Sequence, residues 1–538
     1  MSQDSLAPED PAWLAPGDPG LQALAAPEPS ERPDMWPAGL NRAASGELRI
    51  HGQNLVALLA QQHGRTPVFI MDMDDFRKRA RAWREAFTKT FGKGNAQVYY
   101  AGKAFLCLGL ARVATAQGLG LDTASSGELT LALASGIDPL RVGLHGNGKS
   151  AALLHQAVSA GIGRIIIDSL AEIPRLQRVL DALPQAATVP VMIRLTTGVH
   201  AGGHEYIATA HEDQKFGLSL EPGTHAGLCP DDSDWDGRYA VSPADSPALA
   251  AVKLILADDR LELVGLHSHI GSQISAFAGF TAAAQKIIEF RGAVARETGY
   301  LVPEIDLGGG YGVAYTAATP PGMAPHEIAE KLYRAVQDAC EQHDQPLPAV
   351  SVEPGRSLVA PTTITLYRVL NIKDQPVGTR LDGSVVYRRY VAVDGGMSDN
   401  IRPALYDAHY TATLANRLSA APLVATRVVG THCESGDIVV RNVALPADLT
   451  EGDLLAVPMT GAYGWSMSSN YNWFTRPGVL GVWQVSGDDT DSASRGAIPE
   501  TKETWRADWL ISGENAEEML AHHDPAFRKY LWTHPVIP

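Results

Sequence analysis

Short runs of β-forming residues alternate with helical stretches over the first two thirds of this chain, and this alternation limits the possible fold more than any other feature. Strands that alternate with helices of about 10–15 residues indicate βαβ units and a parallel sheet. A succession of eight such units predicts a (β/α)8 barrel rather than an open doubly wound sheet. The eight runs lie at 97–103, 119–124, 141–146, 164–169, 189–195, 261–269, 304–310 and 349–355.

The pattern changes after about residue 360, where further β runs follow one another without intervening helices. These runs lie at 362–374, 385–396, 425–433 and 436–445, and Gly, Pro and Asp separate them. Such a series is typical of antiparallel strands. The chain is therefore predicted to be α/β + β, with an N-terminal (β/α)8 TIM-like barrel and a C-terminal, mostly antiparallel β domain.

Composition and pattern divide the 538 residues into five segments. Residues 1–35 are rich in Pro, Asp, Glu and Ala without periodicity, which is typical of a flexible extension. The long stretch between the fifth and sixth barrel strands is interpreted as a surface insertion. The predicted segments are 1–35, an acidic extension; 36–95, partly joining the β domain; 96–360, the barrel, with its insertion at 221–247; 361–485, the β domain; and 486–538, a C-terminal tail.

Charge and cysteine content exclude several classes of protein. Sixty acidic against 44 basic residues leave a net charge of -16, which argues against nucleic acid as a partner. No stretch reaches the roughly 18–20 unbroken apolar residues of a membrane span, and the N-terminus lacks the basic and apolar regions of a secretory signal. Four cysteines without CxxC pairs are consistent with a reducing compartment. We expect a cytoplasmic enzyme.

Functional side chains of a (β/α)8 barrel collect at the C-terminal ends of its strands. A lysine at the end of a buried strand is suited to Schiff-base chemistry if desolvation favours its neutral form, although a strand-end lysine in solvent is the simpler interpretation. The predicted strand ends carry Lys103, Asp122, His145, Asp168, Arg194, His269, Gly308 to Gly310 and Glu353.

Two glycine-containing loops indicate a phosphate site, because "DLGGGYG" (306–312) and "EPGR" (353–356) end the seventh and eighth runs. Barrel phosphate sites commonly use these two loops, and glycine amides with the Arg356 guanidinium would suit a phosphate. A tight βα connection is the alternative. His267 and His269 have the spacing of a metal site or of packed strand-end histidines, but no third ligand at close spacing completes a zinc set.

Two segments of the β domain could also carry chemistry. Cys433 and Glu434 in "THCESGD" have as their alternative a small buried cysteine next to a surface acid. The loop "GAYGWSMSSNYN" (461–472) combines glycine, serine and aromatic residues, as ligand-contacting loops often do.

Nine ordered motifs over about residues 35–485 resemble the fold-type III pyridoxal-phosphate decarboxylases. The family fold, a barrel followed by a β domain, agrees with the periodicity. The motifs are "YYAGKAF", "HGNGKS", "HEYIATAHEDQKFG", "LHSHIGSQI", "DLGGGYG", "EPGRSLVA", "VDGGMSDNIRPALY", "HCESGDIV" and "GAYGWSMSSNYN".

The resemblance implies pyridoxal 5'-phosphate as cofactor and assigns roles to individual residues, with no metal. Lys103 would hold the cofactor covalently, His269 would stack on its ring, and Glu353 would bond the ring nitrogen. Cys433 would protonate the product carbanion, so that Lys103 and Cys433 are the implied catalytic residues. The implied cofactor-binding set is Lys103, Asp122, Arg194, His269, Ser272, Gly308, Gly309, Gly310, Glu353, Gly355, Arg356 and Tyr463.

Within the family, the motifs are most similar to the enzymes that decarboxylate meso-2,6-diaminopimelate to L-lysine, the last step of lysine biosynthesis. A substrate with amino and carboxylate groups at both ends explains why the implied site carries both signs of charge. The resemblance also implies a homodimer with shared active sites, to which the partner subunit's Cys433 and Glu434 would contribute. The implied substrate-binding set is Arg356, Arg402, Tyr406, Glu434 and Tyr463.

Alternative functions are a related decarboxylase of ornithine, arginine or a carboxy-polyamine, a fold-type III racemase, and an inactive decarboxylase-like binding protein. Arg402 with the "CESGD" element disfavours the related decarboxylases, because ornithine would leave an arginine without a carboxylate to bind. The "CESGD" element suits decarboxylation and so disfavours a racemase. The presence of Lys103, Glu353 and Cys433 disfavours an inactive protein.

Overall fold

The computed structural model describes residues 9–61, 65–199, 215–222, 244–485, 505–523 and 525. These residues form two compact units. The barrel unit comprises Phe76–Val313 and Pro321–Val359, and the β unit comprises Met1–Asp75, Ala314–Pro320 and Ala360–Pro538. Most of the predicted insertion at 221–247 and most of the tail at 486–538 lie outside the described residues.

The barrel unit confirms the (β/α)8 prediction, since its eight parallel strands coincide with the eight β runs. Pairing of the fourth strand with the fifth and of the eighth strand with the first closes the sheet into a barrel. The strands are β5 (Ala96–Ala101), β6 (Gly120–Thr123), β7 (Val142–Leu144), β8 (Arg164–Ile167), β9 (Val189–Thr196), β11 (Leu261–His267), β12 (Glu304–Asp306) and β13 (Ala349–Val352), with the short β10 (Leu218–Ser219) added on β9.

Helices connect these strands and turn their apolar residues inward. The helix Ala278–Thr298, for example, buries Phe280, Ile287 and Ile288. Burial of such side chains is the main source of barrel stability. The helices are α2 (Met73–Phe91), α3 (Leu108–Ala116), α4 (Ser126–Ala134), α5 (Ala151–Ala160), α6 (Glu172–Asp181), α7 (Pro247–Leu256), α8 (Ala278–Thr298), α9 (Pro325–Gln342) and α10 (Arg356–Val359). No helix among the described residues is long and apolar enough to cross a lipid bilayer.

The β unit is mostly antiparallel, as predicted, and is built around one long strand, although the strands at Val385–Val393 and Leu423–Val429 pair parallel. Strand β4, from the predicted run at 66–72, pairs antiparallel with β14 and parallel with β20, so the early segment joins this sheet. The strands are β4 (Val68–Asp72), β14 (Thr363–Thr379), β15 (Val385–Val393), β16 (Thr413–Leu414), β17 (Leu423–Val429), β18 (Ile438–Pro446), β19 (Leu454–Val457), β20 (Val479–Gln484) and β21 (Trp505–Ile511).

Smaller elements complete the β unit. A three-stranded sheet precedes helix α1, and two short helices follow in the C-terminal half. These elements are β1 (Leu40–Arg42), β2 (Leu48–Ile50), β3 (Gln53–Asn54), α1 (Leu55–Gln61), α11 (Arg402–Tyr406) and α12 (Ala516–Ala521).

The N-terminal segment differs from the flexible extension that its composition predicts, because residues 9–35 are held against the β unit. They form two 3-10 turns, Pro11–Trp13 and Pro19–Leu24, and Leu21 is fully buried. Asp10 forms an ion pair with Arg388 on β15. Proline and aspartate act here as the first residues and caps of short turns, which a reading of composition alone cannot distinguish from disorder.

A buried ion pair lies within the barrel unit, between Lys149 before α5 and Glu172 at the start of α6. Nζ of Lys149 lies 2.8 Å from Oε1 of Glu172, and both side chains are 1% exposed. The ammonium also donates to the carbonyl oxygens of Gly146 and Ile166, at 2.6 and 2.7 Å. The lysine of the "HGNGKS" motif is therefore a structural group whose three donors are all used.

We expect Lys149→Met to lower the free energy of unfolding by about 3–5 kcal/mol, because it leaves the buried carboxylate of Glu172 without a counter-charge. Lys253→Met is a matched control, since Lys253 pairs with Asp245 at 2.8 Å but its side chain is 40% exposed, and the expected loss is about 0–1 kcal/mol. Urea unfolding followed by circular dichroism measures both. Equal midpoints for the two variants would contradict a special role for the buried pair.

Candidate active site

The predicted strand-end residues of the barrel unit lie together at the C-terminal ends of its strands. Lys103 follows β5 on a short 3-10 turn and its side chain is exposed, as the simpler sequence interpretation expects. The other charged residues and histidines of the set are buried, namely Asp122, Asp168, Arg194, His269 and Glu353, with His145 half-buried, and His267 beside them is buried too. The barrel mouth thus presents one accessible amine above buried polar groups.

Glu353, directly after β13, is the centre of this group. Its Oε1 lies 3.2 Å from Nε2 of His145 and 3.1 Å from Nε2 of His267. Burial favours the protonated acid, but the two imidazoles outweigh this effect and hold the pKa of Glu353 well below its usual range. Glu353 is therefore a buried carboxylate that keeps its negative charge.

His145, after β7, lies between two carboxylates. Its Nε2 is 3.3 Å from Oδ1 of Asp122, on β6, in addition to its contact with Glu353. Burial disfavours the charged imidazole, yet Glu353 and Asp122 raise the pKa of His145 to about 9. Burial and the nearby charge of Glu353 raise the pKa of Asp122. The cluster consequently retains a proton on His145 at neutral pH.

His269 has the opposite character. Burial, together with the positive charges of Lys103 and Arg194, lowers the pKa of His269 well below its usual range. The backbone N–H of Gly309 donates to Nδ1 of His269 at 3.0 Å, so Nδ1 is an unprotonated acceptor. A neutral ring whose orientation is fixed by a hydrogen bond is suited to stacking on a flat ligand.

The glycine loop after β12 packs closely on its neighbours, and its amides bond protein groups, whereas the sequence predicts a phosphate-binding loop. The N–H of Gly309 is used by His269, and that of Gly308 donates to Asp306 at 2.7 Å. Gly308 and Gly310 have positive φ, at +65° and +104°, and a Cβ on Gly309 would lie 2.2 Å from the carbonyl oxygen of Glu353. The glycines thus permit a close approach between the loop and β13, and two of the three amides serve the protein itself.

Cationic groups suited to a phosphate lie at the same mouth. Arg356, at the start of α10, is buried and its Nη2 donates to Oγ of Ser272 at 2.9 Å. Arg194 is also buried, lies 3.9 Å from Asp168, and has its guanidinium carbon 4.2 Å from the centre of the Phe216 ring. Gly355 immediately precedes Arg356, and a Cβ at Gly355 would lie 3.1 Å from the side chains of Ala101 and Ala104.

This donor set fits pyridoxal phosphate. An exposed amine at Lys103 can form a Schiff base, and the ionised carboxylate of Glu353 matches a protonated pyridine nitrogen. The neutral ring of His269 suits a flat aromatic face, and Arg356 with Ser272 supplies a cation and a hydroxyl for the phosphate.

Arg402, on α11, is a buried cation of the β unit. Its Nη1 donates to the hydroxyl of Tyr410, and its guanidinium carbon lies 4.8 Å from the centre of the Tyr315 ring. Tyr315 and Tyr410 are themselves in edge contact at 5.1 Å. Sequence reasoning missed both tyrosines, since neither belongs to a strand end, and only the proximity of Tyr410 to Arg402 along the chain could have indicated one of them.

The remaining predicted residues of the β unit lie at its surface. Cys433 is an exposed free thiol, so the alternative of a buried structural cysteine is wrong. Its backbone N–H donates to Asn472 at 3.1 Å, and Glu434 beside it is also exposed. Tyr406 and Tyr463 are half-buried, and Tyr463 has a φ of +60°. An accessible thiol next to an accessible carboxylate is able to contact a ligand.

The buried His432 anchors this thiol. Its Nδ1 lies 2.9 Å from Oδ2 of Asp437, and the same oxygen accepts the backbone N–H of His432 at 2.8 Å. The His432 ring also packs on Phe474, with ring centres 4.3 Å apart. The segment before Cys433 is therefore fixed even though the thiol itself is exposed.

Comparison with known proteins agrees with this chemistry. The family model of the pyridoxal binding domain of pyridoxal-dependent decarboxylases matches residues 73–229 and 238–360. Diaminopimelate decarboxylase of Mycobacterium tuberculosis is 46% identical over 457 residues, covering 84% of this chain and 93% of that protein. The same enzyme of Bacillus subtilis is 38% identical over 437 residues, covering 81% and 90%.

A solved structure that contains L-lysine shows the same fold. Diaminopimelate decarboxylase from M. jannaschii in complex with L-lysine superposes with a TM-score of 0.73 at 25% identity, covering 91% of this chain and 98% of that one. The family model spans more than half of this chain, and the curated relatives cover more than two thirds of it. The chain therefore belongs to the diaminopimelate decarboxylases, a family of pyridoxal-dependent decarboxylases.

Proposed function

We propose that this chain decarboxylates meso-2,6-diaminopimelate to L-lysine and carbon dioxide, the last step of lysine biosynthesis, with pyridoxal phosphate as cofactor. The observation that carries the proposal is the charged carboxylate of Glu353, held between two imidazoles at the barrel mouth. Membership of the diaminopimelate decarboxylases selects the substrate, and decarboxylases of ornithine, arginine or carboxy-polyamines are not favoured.

The proposed roles follow from the chemistry of each group. When bound, pyridoxal phosphate supplies an electron-accepting ring for the electron pair that carbon dioxide leaves behind. Lys103 would bind the cofactor covalently, and Glu353 would keep its ring nitrogen protonated. His269 would hold the ring from one face. Asp122, Arg194, Ser272, Gly308 to Gly310, Gly355, Arg356 and Tyr463 would complete the cofactor site.

Substrate binding requires groups of both charge signs. We assign the distal carboxylate to arginine, because a guanidinium pairs with a carboxylate through two parallel hydrogen bonds. Glu434 would bind the distal ammonium, and Cys433 would give its thiol proton to the carbon that loses carbon dioxide. The proposed substrate-binding residues are Arg356, Arg402, Tyr406, Glu434 and Tyr463.

We further propose that the enzyme is a homodimer that acts in the cytoplasm. Family resemblance is the basis for shared sites, in which each subunit lends Cys433 and Glu434 to the barrel mouth of the other. The exposure of both residues supports this assignment, since a residue offered to a second subunit must be accessible on its own.

The purified protein should release carbon dioxide from meso-diaminopimelate and form lysine, with little turnover of the LL and DD stereoisomers or of ornithine. Lys103→Ala should abolish both turnover and the absorbance band of covalently bound cofactor near the edge of the visible range. Lysine formation measured by chromatography, with labelled carbon dioxide as a second readout, tests the reaction. Preferential decarboxylation of ornithine would overturn the substrate assignment, and carefully purified protein that never binds pyridoxal phosphate would overturn the function.

Gly309→Ala should remove bound cofactor, because its Cβ would lie 2.2 Å from the Glu353 carbonyl oxygen and force the loop away from β13. Gly148→Ala is the control, since no heavy atom lies within 4 Å of a Cβ at Gly148. Cofactor content is measured by absorbance after gel filtration. Normal cofactor content in Gly309→Ala would show that the tight approach is not needed for the site.

Mixing two inactive variants tests the shared site. Lys103→Ala and Cys433→Ala homodimers should each lose most of their turnover, and subunit exchange between them should restore activity, because each hybrid dimer then contains one site with both residues. The control mixes Lys103→Ala with Lys103→Arg, which restores nothing. Failure to complement despite verified exchange would refute the sharing, and full turnover of Cys433→Ala alone would remove the assigned proton donor.

A further inference from the structure

Two histidines converge on one oxygen of Glu353. Nε2 of His145 and Nε2 of His267 lie 3.2 and 3.1 Å from the same atom, Oε1. Their rings meet edge to face, with centres 5.2 Å apart and planes at 65°. His145 follows β7 and His267 ends β11, so the convergence is a product of barrel closure and not of local sequence.

A carboxylate has two oxygens, and here Nε2 of both imidazoles lies within 3.2 Å of the same one. Oε1 is buried together with Nε2 of each histidine. A ligand that approaches Glu353 would therefore bond the second oxygen, Oε2. For a protonated pyridine, one short hydrogen bond to an ionised carboxylate is the arrangement that keeps the ring nitrogen charged.

The charges around His145 keep it positive. Asp122 and Glu353 face it directly, and Glu128 on α4 interacts with it at longer range. His267 packs against its ring. Behind Asp122 lies Arg164, whose Nη2 is 3.6 Å from Oδ1 of Asp122.

Other charged groups of the barrel mouth interact with Glu353 and with His269. Arg194 interacts with Glu353 electrostatically, and Lys103 and His269 interact with one another at the same mouth. The positive charge next to Oε1 is thus supplied by His145, whereas Lys103 and Arg194 are the cations that the proposed function uses for the cofactor.

We propose that His145 and His267 are positioning residues, which occupy Oε1 of Glu353, hold the carboxylate ionised and leave Oε2 to bond the ring nitrogen of pyridoxal phosphate. Asp122 completes the arrangement by facing the charged His145. The inference rests on the proposed function, because it gives Glu353 the ring nitrogen as its ligand. It adds a set of residues that acts on the cofactor only through Glu353.

A metal ion is the competing occupant of this cluster. His145, His267 and Glu353 place their ligand atoms within 4.8 Å of one another, and histidine with glutamate is a common zinc set. A metal bound to Oε1 would need both imidazoles neutral. In the absence of an ion, the two carboxylates around His145 favour its charged form, and metal analysis of the protein distinguishes the proton from a metal.

The test replaces His145 with glutamine, which keeps a donor N–H but cannot carry a charge. We expect His145→Gln to lower kcat by about 10- to 100-fold, the range found when outer-shell partners of a functional ligand are removed, with little change in KM. It should also shift the absorbance maximum and pH titration of the bound cofactor. His155→Gln on the exposed face of α5 is the matched control and should change neither quantity.

A cofactor analogue separates this role from a structural one. In pyridoxal phosphate whose ring nitrogen is replaced by carbon, Glu353 has no nitrogen to protonate. His145→Gln should then cause no further loss of kcat beyond that caused by the analogue itself. A structural defect would instead lower the activity of both loaded forms by the same factor, which would overturn the proposal.

Three further measurements distinguish the positioning role from misfolding, from a bound metal and from failure of the proposed function. Thermal unfolding identifies a variant that fails to fold, in which case His267→Gln carries the same analogue test. Metal analysis of the wild-type protein, before and after EDTA, would overturn the proposal if a stoichiometric ion were found in the cluster. If wild-type protein binds cofactor yet leaves meso-diaminopimelate unchanged, the proposed function fails, while the absorbance titration of His145→Gln still tests the positioning role.

Discussion

The interaction on which the barrel mouth depends is the contact between the buried carboxylate of Glu353 and two imidazoles. A carboxylate in a low-dielectric interior tends to protonate, and an uncompensated buried charge is strongly destabilising. His145 and His267 prevent both outcomes. Because these groups stand on three strands, the carboxylate remains charged only if β7, β11 and β13 keep their register around the closed sheet.

Further polar residues inside the barrel support the residues of the barrel mouth. Arg164, the first residue of β8, lies 2.7 Å from Oδ2 of Asp306 on β12 and 3.6 Å above the centre of the Tyr99 ring. The other oxygen of Asp306 accepts the N–H of Gly308, and the next amide, of Gly309, donates to His269. A continuous series of contacts thus connects the barrel interior to the histidine assigned to the cofactor ring.

Local pattern predicted the elements of the fold and the position of several residues of the candidate site at the barrel mouth. All eight barrel strands follow from the alternation of runs, and Glu353, His269 and Asp122 follow from their places at strand ends. The partners of these residues could not be predicted in the same way. The convergence of His145 and His267 on one oxygen of Glu353 depends on closure, which brings together residues from distant parts of the chain. The use of two glycine amides inside the loop after β12 likewise depends on contacts across strands.

The N-terminal segment shows how composition can mislead. Its proline and acidic residues predict disorder, yet Arg32 donates to the carbonyl oxygens of Ala317 and Thr319 at 3.0 and 3.1 Å and is held by Asp34. That short loop also carries Tyr315, whose ring contacts Arg402. Arg32 and this loop thereby connect the segment to the buried Arg402, so the conformation of the segment bears on the surroundings of that guanidinium.

Net charge is equally poor as a guide to the ligand. The excess of acidic residues gives -16, but the ligands proposed here carry a phosphate and two carboxylates. Mobile ions screen exposed charges beyond about 8–10 Å at physiological salt, whereas buried guanidinium groups such as Arg194, Arg356 and Arg402 act at contact distance with little screening. An acidic protein can therefore bind dianions wherever a few buried cations determine the local field.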